Sequence, residues 1–205
     1  SNLGALTTLR KLVLSPATAL CKLPDTIGEL RHLEILNLGG CSSLIHLPKN
    51  IGKLQSLKNL NLNGASKLEA LPESLGDLRH LENLDLGDCS SLTNLPEGIG
   101  KLQSLKDLNL FGVSKLETLP ESLGELRHLE NLDLRDCSNL THLPNNIGRL
   151  QSLKELNLFR ASKLEMLPEN LEELRHLENL NLGYCSSLTH LPNDIGKLES
   201  LKILN

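Results

Sequence analysis

Residues 81–104 read LENLDLGDCSSLTNLPEGIGKLQS, and this stretch decides the fold because the chain repeats it. Leu-Pro recurs at Leu23-Pro24, Leu47-Pro48, Leu71-Pro72 and onward to Leu191-Pro192, at steps of 24 residues without insertion or deletion. Eight full windows begin at Leu9, Leu33, Leu57, Leu81, Leu105, Leu129, Leu153 and Leu177. A partial turn over 1–8 precedes them and another over 201–205 follows, so residues 1–205 read as a single repeat domain. A fixed period of this size is the signature of a solenoid. Within the window, Leu84 and Leu86 alternate with Asn83, Asp85 and Gly87, the period-two pattern of a short strand. From Leu95 to Leu102 the spacing changes to three and four. Pro96 there suits the first turn of a short helical or 3₁₀ segment, which Gly100 and its equivalents limit.

The pattern is that of the leucine-rich repeat, L-x-x-L-x-L-x-x-N/C-x-L. Leucine fills 55 of 205 positions, against two Phe, one Tyr and no Trp. No single turn can bury its own leucines, so stacked neighbours must do it. The expected fold is an α/β solenoid: a right-handed leucine-rich-repeat horseshoe with a parallel sheet on the concave face and short α or 3₁₀ segments on the convex face. Charged residues are 22% with a net charge of −4, which fits neither a disordered chain nor a nucleic-acid binder. The apolar runs are a few residues long, too short for a membrane-spanning helix.

Because equivalent residues stack about 4.8 Å apart, each column of the repeat becomes a physical row. One outward column alternates in sign, from Arg10, Glu34 and Lys58 through to Glu178 and Lys202. A convex column does the same, from Glu29 and Lys53 to Glu173 and Lys197. Both read as solvated ladders that set each charge between two opposite ones. The central outward column is almost all Asn or Asp: Asn37, Asn61, Asp85, Asn109, Asp133, Asn157 and Asn181. It reads either as a polar ladder along the sheet or as the floor of a binding surface.

The next outward column and its neighbour hold every aromatic residue of the chain: Phe111, Phe159 and Tyr184. Arg135 falls between Phe111 and Phe159, at a spacing suited to cation–π contact, and Arg160 lies beside them. Aromatics and Arg dominate binding hot spots; the plainer reading is that the Phe rings cover glycine neighbours. Over turns four to six, Asp85, Asp88, Asp107, Asp133 and Asp136, with Glu82 and Glu130, outnumber Lys106 and Arg135. That surplus is expected to steer a basic protein or peptide and to repel phosphate backbones.

The remaining chemistry follows the repeat. Cys41, Cys89, Cys137 and Cys185 recur every 48 residues and alternate with Ala65, Val113 and Ala161, which marks a buried apolar site. Two strands separate them, roughly 10 Å, beyond disulfide reach. Cys21 has no sequence partner and reads as a free thiol. Free thiols point to a reducing, cytoplasmic setting. His32, His80, His128 and His176 share the 48-residue period and are too far apart to share a metal ion. No phosphate loop, Cys-x-x-Cys or nucleophile elbow occurs, so no enzyme, cofactor or metal is expected. One sequon, Asn139-Leu140-Thr141, fits chance. Neither end carries a visible polar cap. The chain therefore reads as a piece of a longer protein, with end-to-end self-association expected through uncapped leucines.

The fuller pattern LxxLxLxxCSxLxxLPxxIGxL, as in Leu81 to Leu102, resembles the repeats of plant intracellular nucleotide-binding immune receptors and covers nearly the whole chain. The L-x-G-x-I-P element of extracellular plant receptors is missing. The pattern is also similar to the repeat domains of bacterial type III effectors, some of which are ubiquitin ligases with catalysis in a separate domain. The first resemblance implies a non-enzymatic recognition scaffold, the sensing part of an immune-type protein. The second implies a substrate-binding arm delivered into a host cell. The strict 24-residue length also fits an idealised or engineered scaffold without a specific ligand.

Overall fold

Each short strand in the computed structural model begins one residue before the L of the L-x-L pair, and its neighbour in space is its neighbour in sequence. The structure describes residues 3–205; Ser1 and Asn2, the start of the expected partial turn over 1–8, lie outside the described residues. The nine strands are β1 (Lys11–Val13), β2 (Ile35–Asn37), β3 (Asn59–Asn61), β4 (Asn83–Asp85), β5 (Asp107–Asn109), β6 (Asn131–Asp133), β7 (Glu155–Asn157), β8 (Asn179–Asn181) and β9 (Ile203–Leu204). They form one parallel sheet in sequence order. The register never slips, with Leu36 opposite Leu60, Leu84 opposite Leu108 and Leu156 opposite Leu180. Strand and 3₁₀ turn alternate along the whole described chain, an α/β solenoid horseshoe.

The inward leucines explain the missing aromatics. Leu33, Leu36, Leu38 and Leu44 of one turn are fully buried, as are Leu105, Leu110 and Leu116 three turns on. A buried leucine is worth about 1.5–3 kcal/mol, and here the cover comes from the turns on either side. The ends show what happens without it. Leu191 is 40% exposed, whereas its equivalents Leu143 and Leu167 are 2% and 4%. Exposed apolar groups sit at both ends, Leu6 and Val13 at one and Ile203 and Leu204 at the other. An in-register end-to-end contact would also set Lys202 beside Arg10 of a second copy, a like-charge pair that works against it.

Two details of the convex side differ from the sequence reading. All the segments there are 3₁₀, such as Glu73–Asp77 and Glu97–Lys101. Pro72 and Pro96 do not occupy their first turn; each sits at the N-cap in extended conformation, one residue earlier. The repeated glycine does not end the segment either. It lies inside it, where the next turn presses against it: a Cβ on Gly76 would stand 2.1 Å from the Gly98 carbonyl oxygen, and one on Gly52 2.2 Å from that of Ser74. The column is glycine because successive turns touch there. Gly196 meets nothing within 4 Å.

The contrast gives a paired prediction. Gly76→Ala must push two turns apart and is expected to cost about 1–3 kcal/mol, while Gly196→Ala has open space and leaves stability unchanged or slightly raised. Urea denaturation of the two variants beside the parent reads the difference; equal midpoints would show that the close approach does not constrain the fold.

Candidate functional site

The concave surface is built from three columns, and each uses its polar groups differently. The outermost is the charged row. Glu34 takes both Arg10 at 2.6 Å and Lys58 at 3.5 Å. Further on, the row breaks into pairs: Lys106 to Glu82 at 2.9 Å, Lys154 to Glu130 at 2.6 Å and Lys202 to Glu178 at 2.7 Å. The expected unbroken ladder is thus mostly a series of couples, since one ammonium settles on one carboxylate. The hydrogen-bonded Lys106 holds the Glu82 carboxyl below the usual range, and Lys154 and Lys202 do the same for Glu130 and Glu178. The convex row is weaker still. Within it only Arg149 and Glu125 pair, at 3.1 Å, while Lys197 turns to Asp194 instead.

The central Asn/Asp column spends its side-chain oxygens chiefly within its own turn. Each side-chain oxygen accepts the backbone N–H two residues on: Gly39 to Asn37 at 2.9 Å, Phe111 to Asn109 at 2.9 Å, Arg135 to Asp133 at 3.0 Å and Gly183 to Asn181 at 3.0 Å. These are Asx turns, which end the strand at the same residue in every repeat. Hydrogen bonds between side chains run mainly along the column at the strand start, where Asn83 donates to Asn59 at 2.7 Å, Asn131 to Asp107, and Asn179 to Glu155 at 3.3 Å. Across the central column, Asn109 donates to Asp85 at 2.8 Å. Between β2 and β5 the two columns line a groove of about 400 Å³, with Asn37, Asn59, Asn61 and Asp85 over Leu36 and Leu60. The sequence reading missed this groove; the signal was there in the second Asn-rich column, two residues before the first.

Beyond the strands the chain turns through a left-handed residue in seven consecutive repeats. Gly40, Gly64 and Gly112 have φ of +69° to +72°, and Asp88, Asp136, Arg160 and Tyr184 occupy the same position at +54° to +60°. The conformation aims this residue's N–H at the following turn: Gly64 donates to Gly87 at 2.7 Å, and Arg160 to Gly183 at 2.8 Å. Glycine makes the turn freely, whereas an L-residue pays roughly 1–2 kcal/mol. An Arg and a Tyr in this conformation are uncommon.

Around these positions the predicted side chains come together. Arg135 lies over the Phe111 ring, 5.3 Å from its centre. It does not bridge to Phe159, because Asp133 holds it through Nε at 2.9 Å and Nη2 at 2.6 Å. Arg160 takes that place, 5.1 Å from the centre of Phe159 and 5.8 Å from Tyr184. The two rings meet edge to face at 5.2 Å. Phe159 also covers glycine, its ring edge lying 2.9 Å from where a Cβ on Gly183 would be. Tyr184 is 74% exposed.

The acidic surplus is smaller than the sequence count. Glu82, Glu130, Asp133 and Asp136 each have a cation within 4 Å, the last being Arg160 at 3.8 Å. Asp85, Asp88 and Asp107 are left without an ion pair among the described residues, so any attraction for a basic group centres on turns four and five. The buried thiols take no part in the surface. Cys89 and Cys137 donate to the carbonyls of Leu62 at 3.3 Å and Leu110 at 3.1 Å, and burial pushes both up to about 12. The Asn139 amide of the sequon is likewise engaged, donating to the Ser114 carbonyl at 2.7 Å.

A leucine-rich repeat region model matches residues 1–91, 40–135 and 119–205, and the chain belongs to that family. None of the curated proteins matches it. Among solved structures, the chain is similar to the leucine-rich repeat domain of the type III effector XopL, with 26% identity, a TM-score of 0.65, and coverage of 96% of this chain and 75% of that one. A leucine-rich repeat protein of Leptospira interrogans is 32% identical, with a TM-score of 0.56 over 95% of this chain and 59% of that one. The Arabidopsis receptor kinase HAESA, solved with the peptide hormone IDA and a co-receptor, shares the fold at 23% identity and a TM-score of 0.57. The match covers 98% of this chain and 38% of that one.

Three outcomes follow from this geometry. Tyr184→Gly relieves the left-handed strain while removing an exposed ring, so stability should change by less than about 1 kcal/mol; a loss of several kcal/mol in urea denaturation would make the ring structural. A thiol reagent at about pH 8 should find one fast thiol, Cys21, in the folded protein and five after unfolding. Because the folded Cys89 and Cys137 values are raised, their contribution to stability is complete below pH 9.0 and is lost as pH rises towards about 12. Cys89→Ala should therefore flatten the alkaline unfolding transition.

Proposed function

We propose that this leucine-rich repeat domain is a non-enzymatic scaffold for protein recognition, and that the partner is gripped at the strand-end side of the concave surface. The observation that carries the reading is the cluster of Phe111, Arg135, Phe159, Arg160 and Tyr184. All the aromatic residues of the chain gather there, outside the core, and two members sit in a backbone conformation that glycine would adopt more cheaply. Exposed aromatic and Arg side chains supply most of the affinity in protein interfaces, and strain at non-glycine positions marks functional segments. The unpaired Asp85, Asp88 and Asp107 would receive a basic group of the same partner over turns four and five, with Asp133 and Asp136 orienting the two arginines. The free thiols favour a reducing, cytoplasmic setting.

As the sensing part of an immune-type protein, the domain would use this cluster for a protein or peptide ligand. A second reading, the interaction arm of a secreted bacterial effector, is favoured by the likeness to the XopL repeat domain over nearly the whole chain. Sequence flanking the gene separates the two, since one predicts a nucleotide-binding domain and the other a ligase domain.

Selection from a random peptide display library on the immobilised domain tests the shared claim. Selected peptides should lose about tenfold or more in affinity on Phe159→Ser or Tyr184→Gly and keep it on the convex variant Arg79→Ala. Peptides that bind both concave variants unchanged would place recognition elsewhere.

A further inference from the structure

Arg135 and Arg160 look alike in sequence and differ in what their donors do. The Arg135 guanidinium is committed, with Nε and Nη2 both on the Asp133 carboxylate. The Arg160 guanidinium makes no hydrogen bond to any described residue. Its nearest anion, Asp136 Oδ1, stands 3.8 Å from Nη1, too far for one. Yet Arg160 is not a loose surface chain. Phe159 and Tyr184 flank its guanidinium carbon at 5.1 and 5.8 Å, and the two rings brace each other at an interplanar angle of 78°. Its backbone is pinned as well, since its N–H donates to Gly183 at 2.8 Å.

A guanidinium held against aromatic rings keeps its in-plane edge, where its donors lie, open to a ligand. The rings limit its orientations in advance, so less freedom is lost when its donors engage an anion. A fork of parallel N–H donors matches a carboxylate in geometry as well as charge. Asp136, 3.8 Å from Nη1, balances the cation without accepting a hydrogen bond from it. The exposed Tyr184 ring beside it offers apolar contact to whatever residue neighbours the carboxylate.

We infer that Arg160 is the anchor for a carboxylate of an acidic peptide, taken bidentately, with an adjacent apolar side chain of that peptide on Tyr184. This rests on the recognition reading above and adds a chemical requirement to it. It also sets a spacing. Asp88 lies three turns before Arg160, about 14 Å at strand spacing, a span that an extended peptide crosses in about four residues. A partner segment with a basic and an acidic residue about four positions apart would meet both sites.

The probe is a fluorescein-labelled decapeptide of alternating Glu and Leu, followed by fluorescence anisotropy, with an alternating Lys-Leu decapeptide in parallel. The Glu-Leu peptide should bind the parent, weaken about tenfold or more on Arg160→Gln, and weaken on Arg160→Lys, which keeps the charge and loses the fork. Arg160→Gly suits the left-handed backbone and serves as a second variant whose folding circular dichroism confirms. Equal affinity for the parent and both Arg160→Gln and Arg160→Gly would overturn the inference, as would no binding of the Glu-Leu peptide at about 1 mM. A Glu-Leu affinity that falls on Phe159→Ser but not on Arg160→Gln would sink the carboxylate anchor and leave the recognition face standing.

Discussion

A leucine in this chain can leave water only against leucines 24 residues before and after it. That constraint organises everything else. It demands that each turn repeat the one before in length, because a single inserted residue would rotate the inward set out of register. It demands that the turns touch, which is why the Gly52 and Gly76 positions have no room for a methyl group. It explains a core of leucine with Ile, Cys, Ala and Val and no aromatic ring: identical side chains from successive turns interdigitate, and a single large ring would have no matching recess above and below. The same constraint fails at the two ends, where the described turns have a neighbour on one side only and Leu191, Ile203 and Leu204 reach solvent.

Most of this was legible in the sequence because the repeat gives each position eight or nine readings. The strand, its inward leucines, the buried cysteines and the parallel order all follow from columns that never vary in kind. Two of the errors share one physical source: they concern what a side chain does with its neighbours in the same turn. Asn37 and Asp133 stand in a column whose members recur every 24 residues, which invites a ladder, yet each accepts the N–H two residues along its own backbone. Arg135 was placed midway between two rings by column spacing, but Asp133 lies closer than either. Gly28 and Gly100 looked like helix terminators because a sequence shows where glycine is, not what presses on it. The left-handed column was readable in principle, since Gly40, Gly64 and Gly112 announce a positive φ that Arg160 and Tyr184 must then share.

The surface divides by how much the repeat dictates. The outer charged column alternates without exception, and its exposed pairs contribute little energy singly while excluding like-charge contacts between turns. The Asx column is equally strict because it ends each strand. The columns after it change character from turn to turn, from Ser15 and Gly39 to Phe111, Arg135 and Phe159. Regularity marks what holds the solenoid together, and departure from regularity marks where it can meet something else.

The left-handed position has a consequence for how such a domain changes. Its N–H serves the next turn whatever side chain it carries, as Gly64 and Arg160 both show. A new side chain there alters the outer surface at a modest, local cost and moves no leucine. Each turn thus offers one site that mutation can rewrite while the register stays intact, and neighbouring turns can be rewritten independently. A lineage could exchange one partner for another by substitution at these positions alone, without passing through an unfolded intermediate sequence.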